Sequence, residues 1–180
     1  MGSFAPTPAE GALLASLVAS SEAKHIVEVG GGSGLSALYL LQNATQKTVL
    51  TSIDSEPEYH LATRETLKDA KVAPSKFRLI TGNPSEVLSR LAPKSYDLVT
   101  LNLDPVSYPQ AIEQALNLLT KSGMLVVLNA LWFDQVPDPT KRDLQTVAMR
   151  QSNKALLKRQ DLHTVLIPIG RGILVNTRLS

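Results

Sequence analysis

The sequence has no cysteine among its 180 residues. This absence excludes disulfide bonds, thiolate nucleophiles and zinc sites built on thiolates. Aromatic residues are also few, since three phenylalanines, one tryptophan and four tyrosines leave little surface on which nucleic acid bases could stack. The formal net charge of +2 provides no general attraction to nucleic acid. We therefore expect no nucleic acid partner.

Long apolar runs are absent as well, so we expect no membrane-spanning segment. The first six residues lack the basic and apolar character of a secretion signal. Together with the lack of cysteine, this predicts a cytoplasmic protein without membrane association. A chain of this length with 43% hydrophobic and 19% charged residues is typical of one globular domain, which we expect to span residues 1–180.

Apolar segments of strand length alternate with segments of helical pattern. This predicts an α/β fold with a Rossmann-like, seven-stranded, mostly parallel sheet and helices on both faces. A C-terminal antiparallel hairpin is expected because a short turn joins the last two strands, whereas a parallel return needs a dozen residues or more. After a first strand that ends ahead of Gly30, the predicted strands lie at 48–53, 77–81, 96–101, 124–128, 162–167 and 173–177, and the predicted helices at about 7–20, 35–41, 58–70, 85–91, 108–119 and 141–158.

A glycine-rich turn follows the first predicted strand. Gly30, Gly32 and Gly34 would let main-chain N–H groups approach a ligand at the start of a helix. Leu35 stands where the dinucleotide pattern needs its third glycine, which weakens an NAD interpretation. A hydride-handling pattern such as Tyr-x-x-x-Lys is also lacking, because no tyrosine has a lysine four residues later. The turn therefore predicts a nucleotide cofactor other than NAD.

Two acidic residues accompany this turn. Glu28 precedes it by two positions, and Asp54 ends the next predicted strand, where a carboxylate can accept both hydroxyls of a ribose. Each also has a purely structural interpretation: Glu28 could cap the glycine turn, and Asp54 could cap the following helix. Both lie at carboxyl ends of predicted parallel strands, which is where open sheets of this kind bind ligands.

Short motifs follow one another in a specific order over nearly the whole chain. They are Thr7 to Gly11, Glu28 to Gly30 with Gly34 and Ser36, Ser52 to Asp54, Tyr96 to Val99, Leu118 and Leu119 with Gly123, Asn129 to Trp132, and Leu166 to Gly170 with Gly172. In these motifs the chain resembles class I S-adenosylmethionine-dependent methyltransferases, in particular the small O-methyltransferase family that includes the catechol and caffeoyl-CoA enzymes.

The resemblance implies S-adenosylmethionine as cofactor and a small molecule as methyl acceptor. Enzymes of this family are usually dimeric, so a homodimer is expected. Ser36 would reach the carboxylate end of the cofactor, Asn102 its methionine part and Asp54 its ribose, while Asn83 and Pro84 would border the adenine. The full set of cofactor-binding residues implied by the resemblance is Glu28, Gly30, Gly31, Gly32, Ser36, Asp54, Asn83, Pro84 and Asn102.

The sequence departs from the family at its metal site. Family members commonly carry Asp-x-x-Lys after the fourth strand and Asp-Asn after the fifth, where the two Asp and the Asn hold a divalent ion and the Lys serves as base. Here these positions read Asn102 to Pro105 and Leu128-Asn129. Two neutral amides beside a leucine offer no charge to offset the dehydration of Mg²⁺, so we expect no catalytic metal. Asp104 is then the candidate catalytic base, with capping of the next helix or cofactor contact as alternatives.

Two further features of the sequence each allow two interpretations. Trp132 and Phe133 could form an apolar wall for an aromatic acceptor or simply pack a loop. A basic stripe of Arg150, Lys154 and Lys158 at helical spacing could bind an anion or be a solvated helix face. The leading hypothesis is metal-independent methyl transfer to an oxygen of an unidentified small molecule. The alternative is a protein of the same fold that binds S-adenosylmethionine or S-adenosylhomocysteine with attenuated turnover.

Overall fold

Six helices and seven strands lie within residues 4–179, the part of the chain that the computed structural model describes. The expectations of one domain over residues 1–180 and of no secretion signal in the first six residues concern in part residues outside this range. The helices are α1 (Pro8–Ser21), α2 (Leu35–Gln42), α3 (Pro57–Asp69), α4 (Pro84–Arg90), α5 (Tyr108–Leu118) and α6 (Leu144–Leu157). The strands are β1 (His25–Val29), β2 (Val49–Asp54), β3 (Phe77–Thr81), β4 (Tyr96–Leu101), β5 (Leu119–Leu128), β6 (Leu162–Ile167) and β7 (Ile173–Arg178).

The seven strands form one sheet in the order β3-β2-β1-β4-β5-β7-β6. Neighbouring strands from β3 to β5 in this order pair in parallel, and β7 runs antiparallel to both β5 and β6. The fold class predicted from the alternation of elements is therefore confirmed. Because β7 starts at the edge where β5 ends, the turn between β6 and β7 lies beside the carboxyl ends of the parallel strands.

Side chains of successive strand residues enter two cores on opposite faces of the sheet. Ile26 and Leu98 belong to the core covered by α1, α2 and α3, whereas Val27 and Val99 belong to the core covered by α4, α5 and α6. All four side chains are fully buried. The capping box predicted at Thr7 and Glu10 starts α1, whose Leu14 and Val18 are buried in the first core. Among the described helices, none has both the length and the apolar character needed to cross a bilayer.

The start of α6 differs from the prediction. The helix begins at Leu144 rather than near residue 141, because Asp143 accepts a hydrogen bond from Thr146 N at 2.9 Å and caps it. Arg150 of the predicted basic stripe binds the loop that precedes α6, because it donates hydrogen bonds to Val136 O at 2.9 Å and to Asp138 O at 2.8 Å. Lys154 and Lys158 stay exposed, as a solvated helix face requires.

Tyr108 ties the carboxyl ends of β4 and β5 to the start of α5. Its fully buried hydroxyl lies 3.0 Å from Leu128 O and 3.2 Å from Leu101 O, and it accepts a hydrogen bond from Leu103 N at 3.3 Å. Burial raises the pKa of this phenol far above its ordinary value, so the hydroxyl stays protonated and able to donate.

We expect Tyr108→Phe to lower the free energy of unfolding by about 1–3 kcal/mol, because it leaves buried main-chain groups without a partner. Urea denaturation measures the change. Tyr96→Phe is the matched control, since the Tyr96 hydroxyl makes no hydrogen bond within residues 4–179, and its change should stay within about 0.5 kcal/mol. Equal losses in the two variants would contradict this account of Tyr108.

Candidate functional site

Main-chain hydrogen bonds continue beyond the strand ends and hold four of them together. Gly30 N donates to Ile53 O at 2.9 Å, and Asn102 N donates to Val29 O at 2.9 Å. Gly82 N, after β3, donates to Asp54 O at 3.0 Å. The residues that follow β1, β2, β3 and β4 are therefore neighbours at one edge of the sheet.

The glycine turn after β1 depends on its glycines. Gly30 has φ of 78°, which favours glycine, and a Cβ there would overlap the main-chain carbonyl oxygen of Asn102. Gly34, which precedes α2, has φ of 87°, and a Cβ there would come within 2.7 Å of Thr63 Cα in α3. The turn thus lets β1 approach β4 and lets α2 approach α3.

A cavity of about 470 Å³ opens at this edge. Four of its lining residues are acidic and none is basic, so it suits a ligand with positive charge better than an anion. The walls are formed by Gly30, Asp54, Ser55, Glu56, Glu58, Tyr59, Pro84, Asn102, Leu103 and Asp104.

The structure brings all predicted site residues to this region, but only some of them line the cavity. Gly30, Asp54, Pro84, Asn102 and Asp104 line the cavity. The other predicted positions lie beside it: Glu28, Gly31, Gly32 and Ser36 are buried next to the wall, and Asn83 is exposed in an adjoining groove of about 280 Å³ that shares Pro84 and Leu103 with the cavity.

Asp54 holds the glycine turn in place through its side chain. Its Oδ2 accepts a hydrogen bond from Gly32 N at 3.1 Å, and its Oδ1 accepts one from Glu56 N at 3.2 Å. The N-cap of α3 is Glu56, so Asp54 is not the helix cap that its position allowed. Asp104 does form a local cap, since its Oδ1 accepts from Val106 N at 3.0 Å, and it also lines the cavity.

Glu28 is buried with only one of its two carboxyl oxygens hydrogen-bonded among the described residues. The side chain is 2% exposed, and Oε2 accepts a hydrogen bond from Ser52 Oγ at 2.8 Å, while Oε1 has no hydrogen-bond partner among the described residues. Burial raises the pKa of this carboxyl above its ordinary value; the Ser36 and Ser52 hydroxyls oppose the rise, and the Asp54 carboxylate adds to it.

A chain of polar side chains leads from the cavity to the turn between β6 and β7. Asn102 Nδ2 donates to Gly30 O at 3.1 Å and to Phe4 O at 2.9 Å, and Asn102 Oδ1 accepts from Asn129 Nδ2 at 2.8 Å. Asn129 Oδ1 in turn accepts from Arg171 Nε at 2.6 Å. An arginine therefore reaches the end of β5, although no basic residue follows any of the parallel strands in the sequence.

Arg171 is the site residue that the sequence did not reveal. Besides Asn129, its guanidinium contacts Ala5 O at 2.8 Å and Glu10 Oε2 at 3.5 Å, and it lies 5.3 Å from the centre of the Phe4 ring. The only signal was its place between Gly170 and Gly172 in a hairpin turn. Since β7 must run antiparallel to β5, that turn had to lie at the carboxyl edge.

Glu10, predicted as half of a capping box, has a second role. Its carboxylate is fully buried and accepts from Thr7 N at 2.6 Å and from Arg171 N at 2.8 Å. The start of α1 is therefore bound to the turn between β6 and β7, which keeps residues 4–7 next to the site.

Three aromatic rings pack together next to Arg171. Phe4, Trp132 and Phe133 pack edge to face, with ring centres 5.3 to 6.0 Å apart. Trp132 is 4% exposed and belongs to the core, so loop packing explains it, whereas Phe133 is 47% exposed and remains available to a ligand.

Comparison with known proteins identifies the family of this site. The O-methyltransferase family model matches residues 3–179. A relative from Mycobacterium avium (strain 104), which carries the name "Putative O-methyltransferase", is 41% identical over 178 residues that cover 99% of this chain and 80% of the relative. The chain belongs to the O-methyltransferase family. This confirms the resemblance and, with it, the expectation of an S-adenosylmethionine-dependent methyltransferase with a small-molecule acceptor.

Solved structures show the same fold. A protein from Corynebacterium glutamicum has a TM-score of 0.92 at 30% identity, and the match covers 99% of this chain and 84% of that chain. The O-methyltransferase TomG from Streptomyces achromogenes, which is involved in tomaymycin synthesis and was crystallised in complex with S-adenosylmethionine, has a TM-score of 0.88 at 23% identity, with 98% of this chain and 82% of that chain covered.

The positions at which this O-methyltransferase family commonly holds a divalent ion do not fit one here. Within residues 4–179, no group of three or more His, Asp or Glu side chains could hold a metal. The side-chain oxygens of Asn102 and Asn129 both already accept hydrogen bonds, and the cationic Arg171 lies within hydrogen-bond distance of Asn129. A divalent cation at these positions would be repelled by the Arg171 guanidinium. Even two unit charges about 4 Å apart repel by about 4 kcal/mol at an effective dielectric constant of about 20.

We expect Glu28→Gln to raise the free energy of unfolding of the unliganded protein at neutral pH, because folding raises the pKa of Glu28. With its pKa raised in the folded state, Glu28 favours folding fully only below its ordinary pKa and loses that contribution as pH rises through the folded-state value. The advantage of the Gln variant in chemical denaturation should therefore grow with pH and vanish in acid. A constant advantage at all pH values would contradict the raised pKa.

Proposed function

We propose that S-adenosylmethionine binds in the 470 Å³ cavity and that its methyl group passes to an oxygen of a small molecule. The observation that carries this proposal is the acidic wall of the cavity at the joined ends of β1, β2 and β4. A sulfonium donor is positively charged beside the reacting methyl, and four carboxylates without a basic residue among the lining side chains favour such a ligand. The cavity also has the size usual for a small-molecule site.

Individual residues take the following roles in this proposal. Asp54 accepts the ribose hydroxyls, since it lies at the end of β2 and lines the cavity. Asn83 and Pro84 border the adenine in the adjoining groove. Asn102 faces the methionine part, and the remaining backbone and buried side chains that shape this end are Glu28, Gly30, Gly31, Gly32 and Ser36.

Methyl transfer requires chiefly that the acceptor oxygen lie in line with the methyl carbon and sulfur. The acceptor oxygen supplies an electron pair to the methyl carbon while the bond to sulfur breaks. Where the acceptor is a hydroxyl, a base has to take its proton, and Asp104 is the candidate because it is an acidic side chain of the cavity wall after β4. We propose that no divalent ion takes part, because a neutral amide pair beside a guanidinium replaces the usual carboxylates.

The alternative of cofactor binding with attenuated turnover is separated from this proposal by a transfer assay. Labelled S-adenosylmethionine is incubated with the protein and a broad set of hydroxyl and carboxylate acceptors, with and without Mg²⁺. Labelled product from any acceptor supports catalysis, whereas cofactor binding without transfer to any acceptor favours the alternative. The expected homodimer and the absence of a nucleic acid partner stay predictions.

We expect Asp54→Asn to weaken binding of S-adenosylhomocysteine by roughly tenfold to a few hundredfold, because it removes a charged acceptor worth about 1.5–3 kcal/mol. Isothermal calorimetry measures the affinity. Asp69→Asn, at the exposed end of α3, is the matched control and should bind as the unchanged protein does. Since Asp54 also holds Gly32 N, circular dichroism must show both variants folded. Unchanged affinity in Asp54→Asn would remove the cofactor site from this cavity.

We expect Mg²⁺ to give no heat of binding when it is titrated into the protein saturated with S-adenosylhomocysteine. Any methyl transfer detected should likewise be unaffected by EDTA. Both results follow from the lack of carboxylates at Asn102, Leu128 and Asn129. Stoichiometric Mg²⁺ binding together with loss of transfer in EDTA would refute metal independence without affecting the cofactor site.

A further inference from the structure

We propose that Arg171 is the acceptor-binding cation of this enzyme and that the acceptor is a small carboxylate, which is methylated at a carboxylate oxygen. This inference rests on the proposed function and adds to it the chemical class of the acceptor. Related enzymes commonly hold a metal cation at the positions of Asn102 and Asn129. In this chain those positions adjoin the guanidinium of Arg171 instead.

The guanidinium is held in place while part of it stays free. Nε is bound to Asn129, and Nη2 is bound to Ala5 O and lies 3.5 Å from Glu10. Nη1 has no hydrogen-bond acceptor within the described part of the chain, and the side chain is 19% exposed. A rigid cation with one unused donor nitrogen is suited to bind an anionic oxygen.

Glu10 offsets only part of the positive charge of Arg171. Its two carboxylate oxygens accept main-chain hydrogen bonds at 2.6 Å and 2.8 Å, whereas the guanidinium contact is longer, at 3.5 Å. The carboxylate is thus satisfied mainly by backbone N–H groups at the start of α1 and in the hairpin turn. Within residues 4–179 the guanidinium contacts Glu10 through Nη2, so Nη1 stays available as a charged donor.

The two amides between Arg171 and the cavity transmit its orientation. Because Arg171 Nε can only donate, Asn129 must present its oxygen to it and its NH₂ group to Asn102. Asn102 then directs its own NH₂ group toward Gly30 O and Phe4 O. The guanidinium of Arg171 lies at one end of this chain and the acidic wall at the other, so the carboxylate of the acceptor is favoured on the Arg171 side of the methyl group and the sulfonium on the acidic side.

A carboxylate acceptor removes the need for a strong base. Carboxyl groups have ordinary pKa values near 4, so they are ionised at neutral pH, whereas a phenol with a pKa near 10 is not. The carboxylate oxygen supplies the electron pair for the new bond to the methyl carbon, and the pair of the broken bond stays on sulfur. The products are a methyl ester and a neutral thioether, and no proton is released. The exposed ring of Phe133, close to Phe4, offers apolar contact for the rest of an aromatic acid.

The test compares charged and neutral probes of the same shape on protein saturated with S-adenosylhomocysteine. Benzoate and benzamide form one pair, and hexanoate and hexanamide the other, with binding followed by the ¹⁵N–¹H resonance of Arg171 Nε and by calorimetry. We expect at least one carboxylate to bind and to shift that resonance, and its amide to bind at least tenfold more weakly. Equal binding of acid and amide in both pairs, or no binding by either acid, would overturn the proposal.

Two variants remove the charge in different ways. Arg171→Gln deletes the cation, and Asn129→Asp places a carboxylate on Nε and so neutralises the cation without truncating it. Each should lower carboxylate affinity by roughly tenfold to a hundredfold, the range for a hydrogen bond to a charged group. Arg142→Gln, on an exposed arginine of the loop before α6, is the matched control. If Arg171→Gln fails to fold, Asn129→Asp carries the test alone.

The remaining outcomes keep this proposal distinct from the proposed function. Unchanged carboxylate affinity in a folded Asn129→Asp variant overturns the role of Arg171 even if cofactor binding and transfer are intact. Loss of S-adenosylhomocysteine binding by the unchanged protein overturns the proposed function itself. In the transfer assay, label released as methanol by mild base identifies a methyl ester and supports the carboxylate, whereas base-stable label alone overturns it.

Discussion

The close approach of Gly30 to the main chain of Asn102 is the constraint on which the candidate site depends. No side chain fits between them, and Gly30 has a backbone conformation that favours glycine. This contact joins the ends of β1 and β4, so that Asn102 can bond to Gly30 O and Asp54 can reach Gly32 N across the turn. The proposed cofactor and acceptor regions therefore share one structural element, and a displacement of the turn would alter both.

The charges around this element are separated along the sheet edge. Acidic groups lie at the ends of β2 and β4 and at the start of α3, and the guanidinium bonded to Asn129 lies beyond β5. Glu28 increases the asymmetry, since its buried carboxyl has an oxygen without a partner within residues 4–179. A buried polar oxygen without a hydrogen-bond partner costs folding energy, and such costs are common at functional sites.

Most of the fold was predictable because it follows from local patterns. The alternation of apolar strands with helices predicts the parallel sheet, the short turn near Arg171 predicts the hairpin, and the capping box at Thr7 and Glu10 is confirmed as the start of α1. The start of α6 was placed three residues too early, because Asp143 is one of several polar residues there and only the fold shows which one caps the helix.

The acceptor side was less predictable because its contacts join residues far apart in the sequence. Glu10 and Arg171 are separated by 161 positions, and neither has a pattern that marks the other as its partner. Glu10 already had a complete local explanation as a helix cap, so nothing in the sequence indicated a second role. Trp132 illustrates the converse, since an aromatic residue in a loop near the site is a core residue in the structure.

The proposed replacement of a divalent ion by a guanidinium changes which chemistry the same fold can support. A metal ion acts as a Lewis acid and lowers the pKa of a bound hydroxyl, so it can generate an oxygen nucleophile from a neutral acceptor. A guanidinium stays protonated and binds anions through directed N–H groups, but it stabilises an anionic oxygen less strongly than a bound metal does. The acceptor must then arrive already ionised or lose its proton to another group, and the sequence position that usually supplies a lysine base contains Pro105 instead. In our proposal the acidity of the acceptor itself thereby becomes the property that this site selects.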